Sequence, residues 1–174
     1  MTDQSIVDNT FVIERMYLKP PIQVFAAFSD ASKKRRWFAE GPDHDVEHFS
    51  MDFAVGGRER AQYRFKKGTP FASVALTYDG HFLDVVADRR VVTASTMTLG
   101  ERRISASLVT AEFRPKNSGT LLVLTHQAVF FEGADGPKIR EAGWRALLDR
   151  LEPVANQIED KYPEAVTFGA DGCS

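Results

Sequence analysis

One imbalance constrains this chain more than any other feature: it carries seven strand-like segments and only one long amphipathic helix to cover them. The strand-like runs are Thr10 to Leu18, Asp45 to Phe53, Arg58 to Lys66, Phe71 to Val86, Arg90 to Leu99, Ile104 to Phe113 and Thr120 to Phe131. Each is rich in β-branched and aromatic residues, and turn-forming residues part it from the next. The connections among the last six are too short for a crossover, so those strands pair antiparallel. Such a sheet has one apolar face to bury. Beyond Asp135-Gly136-Pro137, the residues Ile139, Gly143, Leu147, Leu151, Val154 and Ile158 recur every three or four positions, flanked by Trp144, Leu148 and Ala155. Pro137 suits a first helical position. Pro153 lies inside the run, removes one backbone hydrogen bond and predicts a kink. The expected class is α+β, a curved antiparallel sheet of about seven strands gripping one C-terminal helix.

Two short helices fit between the first two strands. Pro20-Pro21 ends the first strand, and Val24, Phe25 and Phe28 fall at helical spacing over 22–28. Ser29 or Asp30 can cap a second helix over 31–38, which carries Lys33-Lys34-Arg35-Arg36 ahead of Trp37-Phe38. That basic run reads as a solvated face with Trp37 packed inward. Gly80, inside the long strand 71–86, predicts a bend or bulge. Residues 1–9 read as a flexible arm, 10–162 as one domain, and 163–174 as a frayed Gly/Ala/Asp-rich tail.

Composition narrows the function classes. With 22 Lys+Arg against 24 Asp+Glu, the formal charge is −2, which argues against a nucleic-acid partner. The single Cys, Cys173, rules out a disulfide framework and a Cys-rich zinc site. No segment approaches the ~20 apolar residues of a membrane span, and the N-terminus lacks the features of a secretory signal. The expectation is a cytoplasmic protein without a membrane span.

Candidate chemistry is sparse. His44 and His48 are four apart at a loop–strand junction, where that spacing separates them by about 13 Å, so no metal site is expected. His126 sits in a strand apolar in both phases, so periodicity does not fix its face; turned inward, it would orient a ligand or act as a general base. His81 falls opposite in phase to Tyr78 and Phe82. Asp84, Asp88, Glu132 and Asp135 stand at strand ends and turns, where acidic residues serve turn chemistry. No nucleophile elbow, phosphate loop or dinucleotide fingerprint occurs, so no cofactor is expected.

Several motifs recur in order: Phe11-Val-Ile-Glu-Arg15, Val24-Phe25-Ala26-Ala27-Phe28-Ser29-Asp30 after Pro21, and Lys34-Arg35-Arg36-Trp37-Phe38. Then follow Met51-Asp-Phe-Ala-Val55-Gly56-Gly57-Arg58-Glu59, Asp88-Arg89-Arg90-Val91-Val92 and Ser105-Ala-Ser-Leu-Val-Thr110. Last come Gly119-Thr120 leading to Leu124-Thr125-His126-Gln127, and Arg140-Glu141-Ala142-Gly143 before Leu147-Leu148-Asp149. Across about 11–152 the chain resembles the START-like, SRPBCC superfamily, and within it the homologues of the heat-shock-protein-90 ATPase activator, also labelled polyketide cyclase-like. Members of that family usually carry Glu where this chain has His126.

The resemblance implies a helix-grip fold with a cavity between sheet and long helix, holding a hydrophobic or amphipathic small molecule. The residues expected to line it are Tyr63, Phe65, Leu76, Tyr78, Phe82, His126, Phe130, Trp144 and Leu148, with the two tyrosine hydroxyls and His126 as polar groups. A cyclase, hydratase or hydrolase using His126 and a tyrosine is the enzymatic alternative, with His126 the one catalytic candidate. A chaperone-interacting role is the third, although the arm is too short for the separate chaperone-contacting domain of the activators. Monomer and homodimer are both compatible with the sequence.

Overall fold

A computed structural model describes residues 5–157. Strand β1 (Val7–Tyr17) is followed by helices α1 (Pro21–Ser29) and α2 (Ala31–Lys34) and a π-helical turn over Arg35–Ala39. Then come β2 (His44–Met51), β3 (Arg58–Phe65), β4 (Ala75–Val86), β5 (Arg90–Leu99), β6 (Arg102–Lys116) and β7 (Gly119–Phe130), and finally α3 (Pro137–Ala155). All seven strands join one antiparallel sheet in the order β1-β7-β6-β5-β4-β3-β2. Only β1 leaves its sequence neighbour, passing beyond the intervening helices to pair with β7 along its whole length, from Val7 opposite Phe130 to Tyr17 opposite Thr120. The class is α+β, and the helix-grip architecture expected above is the one observed.

Alternation along the strands sets the concave face. In β7 the inward set is Leu122, Leu124, His126, Ala128 and Phe130, all buried, and in β3 it is Glu59, Ala61, Tyr63 and Phe65. Helix α3 closes over that face near its β1 end. Tyr17 donates to the Leu148 carbonyl at 2.9 Å, and Arg15 pairs with Asp149. Trp37, fully buried, donates its indole N–H to the Ala27 carbonyl at 2.8 Å and ties α1 to the π turn.

Several expectations need correction. The first strand starts at Val7, so the end of the presumed arm is already paired. The fourth starts at Ala75: residues 66–74 close on themselves, Thr69 Oγ1 donating to the Lys66 carbonyl, with Ser73 at φ 67°. The bend predicted at Gly80 lies instead between Phe82 and Asp84. Gly80 has another reason to be glycine, since a Cβ there would come within 2.7 Å of the Tyr78 hydroxyl. The second helix does not run as an α-helix to Phe38. After Lys34 it widens, and the Glu40 N–H bonds back five residues to the Arg35 carbonyl at 3.0 Å.

The basic run is not wholly solvated either. Arg35 and Arg36 are exposed, but Lys34 shares the inward side of its helix with Trp37 and Phe38 and is 5% exposed. Leu151 and Val154 are buried as expected, but in the first turns of α3 the seam is shifted by one residue from the predicted one, with Arg140, Trp144 and Leu148 as the buried row. Ile139 and Gly143 are exposed and Leu147 is half-buried. Pro153 lies within α3, close to its end. Ile158, the whole of the expected tail and residues 1–4 lie outside the described residues. Among the described residues no helix is long and apolar enough to cross a membrane.

Candidate functional site

The displaced seam of α3 has a direct consequence. The helix rests on the sheet through Trp144 and Leu148, and the next row round, Ile139, Gly143 and Leu147, overhangs the sheet without filling the space below. Gly143 has no side chain to offer, and a Cβ there would meet nothing within 4 Å. Beneath lies a cavity of about 550 Å³, within the range of small-molecule sites. Its floor comes from Tyr63, Tyr78, Met97 and Val109, one end from Phe38, and its rim includes the exposed Phe71 and Ile139.

Of the predicted lining, Tyr63, Phe65, Leu76, Tyr78, His126 and Trp144 border this cavity. Phe82, Phe130 and Leu148 do not. Phe82 packs edge-on against Phe53, ring centres 4.9 Å apart, and Phe130 lies 5.1 Å below the Arg140 guanidinium. Leu148 is fully buried on the seam beside Tyr17. All three belong to inward-facing positions, but at those points the concave face is already packed against other side chains.

His126 faces inward. Its ring stacks on Phe11, centres 4.6 Å apart and planes within 8°, and it is 1% exposed. Nδ1 is buried with no hydrogen-bond partner among the described residues. Burial, chiefly, and then the positive charge of Arg140 push its pKa down to about 4, against a smaller opposing pull from Asp135. The imidazole is therefore neutral at pH 7. His44 and His48 diverge: His44 contacts the Ala39 carbonyl at 2.6 Å and tilts onto Tyr63, whereas His48 is exposed beside Ser50. Among the described residues no three His, Cys, Asp or Glu gather as a metal site would require.

Besides Lys34, two more buried charges escaped the sequence reading. Arg140, 7% exposed, is held by Asp135 through paired bonds of 2.8 and 2.7 Å and donates to Ser105 Oγ at 3.0 Å. Glu59 is 1% exposed, with Lys34 Nζ 3.3 Å from its Oε1 as an ion pair that leaves that oxygen without a well-aligned hydrogen bond. The Lys34 ammonium sits 4.6–4.9 Å from the ring centres of Phe28, Trp37 and Phe38. Burial lowers its pKa and Glu59 opposes that pull. A signal for Glu59 was present, since it continues the inward phase of Ala61, Tyr63 and Phe65.

Glu59 begins a row that crosses the floor. Glu59 is opposite Gly80, Gly80 opposite Ser95, Ser95 opposite Ser107, and Ser107 opposite Ala128. Small residues here leave a trough, and Tyr78 folds over Gly80 into it. Its hydroxyl donates to Glu59 Oε2 at 3.3 Å. Farther along the row the Ser95 and Ser107 hydroxyls share a 2.9 Å hydrogen bond. Burial first, and then the Glu59 charge, raise the pKa of both Tyr78 and Tyr63, so both phenols stay protonated at neutral pH.

The sequence pattern of the family described as Activator of Hsp90 ATPase homolog 1-like protein matches residues 19–156. An uncharacterized protein from Rhizobium leguminosarum is 36% identical over 88% of this chain and 98% of its own, with a TM-score of 0.81. The Mll3558 protein from Rhizobium loti is 40% identical over 86% of this chain and 99% of its own, with a TM-score of 0.77. An AHSA1-like protein from Aeromonas hydrophila, 23% identical over 84% of this chain and 91% of its own, shares the fold with a TM-score of 0.60. No curated protein matches the chain.

Proposed function

The chain belongs to the family of Activator of Hsp90 ATPase homolog 1-like proteins, and within that family we propose that it is a binding protein for a hydrophobic or amphipathic small molecule, held between sheet and α3. The observation that carries this reading is the cavity of about 550 Å³, kept open by Gly143 and the shifted helix seam. A closed core would fill such a space, because protein interiors are packed to crystal-like density. Aromatic walls supply apolar contact, while the Tyr63 hydroxyl, Ser95, Ser107 and His126 supply orienting polar groups. The partner is a small molecule, and the site of action is the cytoplasm.

The surroundings of His126 do not favour the catalytic alternative. A general base at neutral pH works best with a pKa near 7 and a partner that orients it; this ring has a pKa pushed down to about 4 and an unbonded Nδ1. The chaperone reading rests on the family description alone.

Native mass spectrometry of freshly purified protein, repeated after denaturation, tests the proposal. The expected result is a small-molecule adduct that leaves on unfolding and is absent from a Gly143→Phe variant, whose side chain enters the cavity. A bare mass, together with no uptake of Nile red, would overturn it.

A further inference from the structure

The charges that border the cavity are unevenly matched. Arg140 and Arg150 both line it from α3, and among the described residues Asp135 is the one carboxylate on the lining. Asp135 gives both oxygens to Arg140, so that pair neutralises itself at the start of the helix. Arg150 lies about three turns further along α3. It follows Gly143 and Leu147 on the row that overhangs the space, and it is half-buried. Its Nε donates to the Trp37 carbonyl at 3.3 Å, which sets the guanidinium beside Phe38, at one end of the cavity. A carbonyl dipole does not cancel a full charge, and an arginine side chain stays protonated in proteins.

Among the described residues no carboxylate pairs with Arg150. Those around it are engaged elsewhere: Asp149 by Arg15, Glu40 by Arg35, and Glu59, which is not on the lining, by Lys34. Glu152 is two positions on, a spacing that does not bring helical side chains face to face. Other polar groups at this end are committed or are donors. His44 Nε2 is bonded to the Ala39 carbonyl and Tyr78 donates to Glu59. Tyr63, whose ring lies 4.8 Å from that of His44, gives its hydroxyl proton to no acceptor among the described residues.

We infer that the cavity takes a hydrophobic molecule ending in a carboxylate, with the carboxylate on the Arg150 guanidinium and the apolar body along the aromatic floor. The inference rests on the ligand-binding reading and deepens it. With Nε held by Trp37, the two Nη groups can give a carboxylate two parallel bonds. A neutral head group would leave the charge without a counter-ion, and a cationic one would be repelled. At the opposite end an anion would meet Asp135.

Three probes of nearly one shape test this: 6-phenylhexanoate, 6-phenylhexanamide and 6-phenylhexylamine, titrated at pH 7 against the intact protein by calorimetry. The carboxylate should bind about tenfold or more tighter than the amide, and the amine weakest. In Arg150→Gln the carboxylate should fall to within about threefold of the amide, whose own affinity holds, while Arg150→Lys should keep part of the preference because the charge remains. Salt gives a reading that needs no variant: at 1 M the wild-type advantage of acid over amide should shrink several-fold. Equal binding of acid and amide, an advantage indifferent to salt, or one undiminished in Arg150→Gln would overturn the inference and leave the ligand-binding reading standing. Uptake of Nile red with none of the three probes bound would also overturn the inference alone. No uptake of any of them, Nile red included, would overturn both.

Discussion

Lys34 and Glu59 lie 25 positions apart in sequence, yet the lysine ammonium stands 3.3 Å from the glutamate carboxylate where both are almost entirely out of water. The lysine arrives from the short helices and the glutamate from the concave face of β3. Their meeting joins the helical layer to the sheet, and it also holds the carboxylate to which Tyr78 donates.

Removing one of the two charges should be far worse than removing both. Lys34→Met leaves Glu59 buried without its counter-charge, a loss of about 3–5 kcal/mol for such pairs. The double variant Lys34→Met/Glu59→Leu should recover most of that stability. Urea denaturation of the two single variants and the double variant gives the coupling directly, and additive losses would disprove it.

The His126 pKa of about 4 against an ordinary 6.5 makes stability depend on pH in a defined direction. Below pH 6.5 the unfolded chain takes up the proton while the folded chain still excludes it. The contribution is therefore complete above pH 6.5 and lost as pH falls to 4, about 3 kcal/mol in all. A His126→Phe variant, able to keep the stacking on Phe11, should show a flatter fall of unfolding free energy between pH 6.5 and 4. Parallel curves for wild type and variant would contradict the assignment.

Gly143 sits in the middle of α3 with open space where its Cβ would be. Gly143→Ala should therefore gain helix propensity without a clash, about 1 kcal/mol. That corresponds to a rise of about 3 °C in Tm by calorimetry for a chain of this size. A lowered Tm would mean that the position is occupied in solution.

Gly80→Ala should do the opposite, because the new methyl would press on the Tyr78 hydroxyl at 2.7 Å. A loss of about 1–3 kcal/mol is expected for such overpacking. The same substitution in a Tyr78→Ala background should cost much less, and a double-mutant cycle without coupling would refute the account.

Strand count, antiparallel order and the covering role of the last helix were legible in the sequence because alternation and turn residues are local signals. The π turn was not, since 31–38 carries the periodicity of an ordinary helix and the widening depends on what Trp37 and Phe38 pack against. The cavity lining was legible only to the level of a face. Phe82, Phe130 and Leu148 have the same phase as the true lining, and alternation says nothing about where helix and sheet touch and where they part. Glu59 and Arg140 were harder for another reason. A charge on an inward phase looks like an interruption until its partner is known, and Lys34 is remote in sequence from the Glu59 it neutralises.

The wide turn at Arg35–Ala39 makes this region sensitive to chain length. Its backbone bond spans five residues where an α-helix spans four. Deleting exposed Arg36 would let an ordinary helical turn close, with every buried residue type still in the chain. Each residue of an α-helix turns the chain by about 100°, so the ammonium of Lys34 would swing away from Glu59, or else the indole of Trp37 would leave its pocket. Changing the identity of residues 35 and 36 gives up only exposed bonds to Glu40 and Gln157, whereas changing their number moves the core: the segment acts as a spacer whose reading frame is set by the ion pair on one side and the aromatic cluster on the other.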